Sequence, residues 1–157
     1  MRRLTILAVM LVVAALPAGA LAAGFKFPTV STKLGAKPKV GATHGAAPKT
    51  LKVKDVVVGK GRVAKSGDQV TIQYVGKLYR SGQEFDASWN RGQAFAFALG
   101  SGHVIKGFDR GIKGMHVGGR RIIVIPPRLG YGAQGAAGAI PPNATLIFVV
   151  DLVSARP

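Results

Sequence analysis

Along residues 70–78 the side chains Val70, Ile72, Tyr74, Gly76 and Leu78 alternate with Thr71, Gln73, Val75 and Lys77. A two-residue period sends neighbouring side chains to opposite faces, so the stretch predicts a half-buried strand. Leu146, Phe148, Val150 and Leu152 repeat that period near the end of the chain. Between them, residues 93–98 carry Phe95 and Phe97 on one face, and residues 120–125 form a β-branched run that stops at Pro126-Pro127. An opening strand over residues 52–58 completes a set of about four to six. Val104, Ile105, Phe108, Ile112 and Met115 recur at near-helical spacing, which predicts one short helix with that stripe turned inward. Gly107, Gly111 and Gly114 each weaken an isolated helix by about 1 kcal/mol, so packing must hold it. Residues 126–142 are rich in proline and glycine and nearly without polar side chains, which reads as a long surface loop beside a binding site. The class expected is α+β, a twisted antiparallel sheet wrapped around one short α-helix.

Composition divides the chain into three parts. After Met1-Arg-Arg3 comes an apolar run from Leu4 to Leu16, then Pro17, Gly19 and small residues up to Ala23. This is the pattern of a secretory signal peptide over residues 1–22, cut after Ala22, with an extracytoplasmic protein as its consequence. Left uncut, the same segment is long enough to anchor the protein in a bilayer. Residues 23–50 contain Pro28, Pro38, Pro48, five lysines and no acid, a composition that predicts a disordered basic linker. The first carboxylate is Asp55, so the boundary falls near Leu51, and residues 51–157 suffice for one domain with one core.

Charge and cysteine usage narrow the chemistry. The formal net charge of +16 favours anionic partners, such as envelope polymers engaged through the basic linker. Nucleic acid is not expected, because neither a recognition helix nor a stacking motif accompanies the charge. The absence of cysteine excludes disulfides and lipid-modified cysteine. His44, His103 and His116 show no ligand spacing, and the glycine-rich run 130–135 precedes no helix, so neither a metal nor a cofactor is expected.

Six ordered segments carry a resemblance. They are Tyr74-Val-Gly-Lys-Leu, Gly82-Gln-Glu-Phe-Asp86, Val104-Ile-Lys-Gly-Phe-Asp-Arg-Gly111, Met115-His-Val-Gly118, Leu129-Gly-Tyr-Gly132 and Ile140-Pro-Pro-Asn-Ala-Thr-Leu-Ile-Phe148. Together, over about residues 51 to 155, they resemble the FK506-binding-protein type of peptidyl-prolyl cis-trans isomerase. The resemblance implies an apolar substrate pocket walled by Tyr74, Phe85, Phe95, Val104, Ile105, Tyr131, Ile140 and Phe148, with Phe108 as its floor. It further implies that the Ile105 N–H and the Tyr131 hydroxyl bind substrate carbonyls, and that Asp86 is the pocket carboxylate, with Arg91 and Tyr74 as partners. Asp86, Tyr131, Phe148 and Ile105 are thus the residues assigned to catalysis. Proline-containing unfolded or exported chains are the implied substrates, and FK506-like macrolides the implied inhibitors. On pattern alone the phenylalanines could be ordinary core, and a peptide-binding module or holding chaperone without turnover is the alternative. The floor usually holds tryptophan where this chain has Phe108, and Ala136 and Ala139 stand where the family often has larger side chains. Weaker activity and weaker macrolide affinity follow from these departures.

Overall fold

A computed structural model of the protein describes residues 23–157. The signal-peptide reading of residues 1–22 lies outside that range. Six strands form one antiparallel sheet: β1 (Lys52–Val57), β2 (Gln69–Leu78), β3 (Glu84–Ala87), β4 (Phe95–Ala98), β5 (Arg120–Ile125) and β6 (Leu146–Arg156). Their spatial order is β1-β5-β6-β2-β3, with β4 also pairing β2. A single helical turn, α1 (Ser88–Arg91), follows β3, and the helix α2 (Lys106–Ile112) precedes β5. The class is α+β, as the alternating and helical patterns require.

The inner face of the sheet and the helix make one core. Val70, Ile72, Tyr74 and Leu78 of β2 join Leu146, Phe148, Val150 and Leu152 of β6 against Phe108, Ile112 and Met115. Two of the helix glycines have a packing reason, because a Cβ on Gly111 would lie 2.6 Å from the Ile123 side chain, and one on Gly107 would overlap Ile125. Glycine lets the helix sit directly on β5. Gly114, just beyond the helix, has φ +84°, a left-handed conformation that a side chain would strain.

The expectation of a disordered linker over residues 23–50 is corrected by the structure. These residues fold back on themselves, with Lys26 bridging His44, Val30 bridging Val40, and a turn at Leu34-Gly35-Ala36. Phe25, Phe27, Val30 and Val40 of this arm cover a second apolar cluster on the outer face of the sheet, formed by Tyr79, Ile122, Val124, Ile147 and Val149. Pro28, Pro38 and Pro48 are all buried. Thr43 donates to the Tyr79 carbonyl at 2.7 Å. Arg120, fully buried at 0 % exposure, donates to the Ser31 carbonyl at 2.7 Å and the Ala36 carbonyl at 2.9 Å. Its Nε and Nη2 also donate to Asp151 at 2.6 and 2.7 Å. Apolar cover and a hydrogen-bonded guanidinium thus hold a segment whose composition alone suggests no structure.

Candidate active site

Strand β2 carries Tyr74 onto the inner face, and its neighbours bring the other walls. The antiparallel register sets Gly76 opposite Phe148 of β6 and opposite Asp86 of β3. A Cβ on Gly76 would come within 2.7 Å of Phe85 and 2.9 Å of Phe148, so glycine is what lets those two rings close over the strand. Phe108, on the first turn of α2, lies beneath with its ring 4.8 Å from Phe148 and 5.9 Å from Tyr74. Phe85 meets Phe148 edge-on at 5.6 Å, and Phe95 meets Tyr74 at 6.1 Å. Edge-to-face contacts of this kind fix ring orientation as well as burying area.

These rings enclose a cleft of about 460 Å³ lined by Tyr74, Phe85, Asp86, Phe95, His103, Val104, Ile105, Phe108, Tyr131 and Phe148. Its polar groups are few and placed at the walls. The Tyr74 hydroxyl donates to one oxygen of Asp86 and accepts a hydrogen bond from Arg91 at 3.0 Å. Arg91 also pairs with the other Asp86 oxygen and lies 5.8 Å from the Tyr74 ring centre. Burial pushes the Asp86 carboxyl up, but the hydrogen bonds from Tyr74 and Arg91 and the guanidinium charge outweigh it and hold it below the usual carboxylate range. Burial pushes the phenols of Tyr74 and Tyr131 up, and the Asp86 charge adds to both, so each remains protonated at neutral pH.

Donors without a partner among the described residues also line the cleft, the Ile105 N–H and the Tyr131 hydroxyl among them. Ile105 caps α2: its carbonyl accepts from Phe108 at 3.0 Å and Asp109 at 3.2 Å, while its own N–H finds no acceptor among the described residues. Asp109 reaches back to the Gly100 N–H at 2.9 Å and the Gly102 N–H at 3.3 Å, fixing the loop that delivers His103 and Val104 to the rim. The Tyr131 hydroxyl has no partner among the described residues, and the side chain is 41 % exposed at the mouth.

A sequence model of the family described as FKBP-type peptidyl-prolyl cis-trans isomerase matches residues 60–153, more than half of the chain. The chain belongs to that family. An FK506-binding protein of Streptomyces anulatus is 51 % identical over 119 residues, 75 % of this chain and 96 % of that one. An FK506-binding protein of Neisseria meningitidis serogroup A is 47 % identical over 104 residues, covering 66 % of this chain and 94 % of the relative. Among solved structures, FkpA from Escherichia coli superposes with a TM-score of 0.63 at 42 % identity, over 68 % of this chain and 48 % of that one. AtFKBP13 gives the same TM-score of 0.63 at 40 % identity, over 69 % of this chain and 94 % of the other.

Set against the FKBP-type resemblance residue by residue, the structure gathers all the site residues named from the sequence into the cleft except Ile140. Ile140 is buried in the main core and lines a neighbouring hollow of about 390 Å³, formed by residues of the 134–142 loop. Its position follows from the local pairing of Ala136 with Ile140, which folds the loop tip onto itself. Ala136 and Ala139 line that hollow too and are not among the residues that line the cleft. Sequence reasoning missed His103, whose neighbour Val104 carried the apolar pattern, and Ser88, which is fully buried and accepts the Tyr74 N–H at 2.8 Å. A serine opening a one-turn helix after a strand carries no sequence signal of that task.

Proposed function

We propose that this protein is an exported peptidyl-prolyl cis-trans isomerase that lowers the rotation barrier at X-Pro bonds by desolvation and by preferential binding of the twisted amide. The uncatalysed barrier is about 18–20 kcal/mol, and water favours the planar amide because of its charge separation. Taking the bond into a cleft of rings removes that preference, and donors aimed at flanking carbonyls can hold the chain in the twisted geometry. The observation that carries the reading is the pairing of this aromatic cleft with unengaged donors in its lining, among them the Ile105 N–H and the Tyr131 hydroxyl. Asp86 and Arg91 then act by orienting Tyr74, and Phe108 and Phe148 by shaping the floor. No covalent intermediate is needed.

Export rests on the leader pattern of residues 1–22. Outside the cytoplasm, X-Pro steps of tens to hundreds of seconds would limit folding of secreted chains, which gives such an enzyme its substrates. FK506-like macrolides should compete for the same cleft. A second reading, peptide binding without turnover, is favoured by the smaller Phe108 floor.

The test is acceleration of isomerisation in a proline-containing peptide by the full-length protein at micromolar concentration. Tyr131→Phe removes one hydrogen bond worth about 0.5–1.5 kcal/mol and should lower kcat/KM about two- to tenfold without changing the folded stability. Binding of the peptide with no acceleration would establish the second reading in place of the first.

A further inference from the structure

The arm reaches the cleft wall through Lys37. Lys37 Nζ donates to Glu84 Oε1 at 2.9 Å and to Asn90 Oδ1 at 2.8 Å, and Asn90 Nδ2 closes the triangle onto Glu84 Oε1 at 2.9 Å. Glu84 opens β3 and Asn90 lies in α1, so a single ammonium joins the arm to the two short elements that carry Phe85, Asp86 and Arg91. On the cleft side these elements are held by Ser88, Asp86 and Arg91, which bond to Tyr74; on the far side their backbone pairing is short. β3 is a sheet edge paired only to β2, through three residue pairs with a register shift between Gly76 and Lys77. α1 is a single turn with no side-chain cap.

Lys37 itself is fixed on both sides. The carbonyl of Ala36 is held by buried Arg120, and Pro38 is buried against the domain. An ordinary surface lysine loses much conformational freedom when it forms an ion pair, which is why such pairs contribute little. Here the ammonium is shared by two acceptors, Glu84 and Asn90, and Asn90 also holds Glu84, so the pair is part of a small network. Burial pushes the Glu84 carboxyl up, but hydrogen bonds from Lys37 and Asn90 with the charges of Lys37 and Lys77 hold it below its ordinary value.

We infer that Lys37 is a positioning residue, through which the docked arm sets the β3–α1 wall of the substrate cleft. This rests on the isomerase reading for its kinetic consequence, but the wall's position can be read without turnover. Trp89, the chain's single tryptophan, stands in α1 beside Asn90 with its indole nitrogen buried, so its fluorescence reports directly on that wall.

The experiment compares full-length wild type with Lys37→Ala, Lys37→Arg and Lys33→Ala, the last being an exposed lysine of the same arm. Lys37→Ala should raise acrylamide quenching of Trp89 and lower kcat/KM about threefold, chiefly through KM, with an unchanged thermal midpoint. Lys37→Arg should restore both readouts and Lys33→Ala should alter neither. Wild type in 1 M salt should approach Lys37→Ala, because the pair lies at the surface. Quenching and kcat/KM both at wild-type values in Lys37→Ala would overturn the inference, as would equal effects from Lys33→Ala. A wild type without isomerase activity would refute the catalytic reading alone, and the Trp89 quenching would still decide the role of Lys37.

Discussion

Asp86 is the only carboxylate in the cleft, and its two oxygens are taken by Tyr74 and Arg91. Its carboxyl is held below the ordinary value, so folding favours the ionised form. The contribution is therefore present above the unfolded-chain value and disappears as pH falls through the lowered folded value. Measured in a His103→Ala background, which removes the rim imidazole, kcat/KM should be flat from about pH 8 to about pH 5 and decline only below about pH 4. Asp86→Asn should lower kcat/KM about threefold across that plateau, a modest effect because the site is partly open to solvent. A midpoint near neutrality in that His103→Ala background would show that another group orients Tyr74. At this scale the site was legible where a ring residue fell on a strand face or helix stripe, as Tyr74, Phe108 and Phe148 do. Ile140 shared the apolar character but not the direction, because a short backbone pairing in its own loop turns it to the core. His103 offered no periodicity to read.

At the level of elements, β5 and β6 held an unread signal. Ile122-Ile-Val-Ile125 and Leu146-Ile-Phe-Val-Val150 are continuous apolar runs, and a strand reads so when both of its faces are covered. The alternation in β2 was clear enough to give the inner face, but nothing in residues 23–50 identifies them as the outer cover, since Phe25, Phe27, Val30 and Val40 are too widely spaced to form a period. Arg120 is equally invisible from sequence, being a cation at the start of an apolar strand that turns out fully buried on Asp151 and two arm carbonyls. Removing one partner of a buried pair strands a charge, at a cost of about 3–5 kcal/mol. Arg120→Met should therefore lower the urea-unfolding free energy by about that amount. The double variant Arg120→Met/Asp151→Leu should recover more than half of it, leaving the Ser31 and Ala36 carbonyls without their donor. Equal losses in the single and double variants would mean that the arm contacts, and not the ion pair, carry the stability.

Across the whole molecule the charge is lopsided because 22 basic side chains face only six carboxylates, and those acids are internally engaged. Five of the six carboxylates form ion pairs, with Lys37, Arg62, Arg91, Arg120 and Arg121, and the sixth, Asp109, accepts from two backbone N–H groups. Most basic side chains among the described residues therefore form no ion pair, and Lys26, Lys33, Lys39 and Lys49 stand exposed on the arm with Lys52, Lys54 and Lys60 following in sequence. On a disordered linker those charges could reshape themselves around a polyanion. Held on a docked arm, they present a fixed basic surface shared between the arm and the first strand. Retention on immobilised polyphosphate should accordingly fall steeply with salt, as the screening length contracts from about 10 Å at 0.1 M to about 3 Å at 1 M. Changing Lys26, Lys33, Lys39 and Lys49 to glutamine should lower the eluting salt concentration without abolishing retention, since Lys52, Lys54 and Lys60 remain. Lys37 is left in place so that the cleft wall is undisturbed, and kcat/KM should match wild type. Elution unchanged by the four substitutions would assign the attraction to the domain, whereas complete loss would return it to the arm alone, as the composition first suggested.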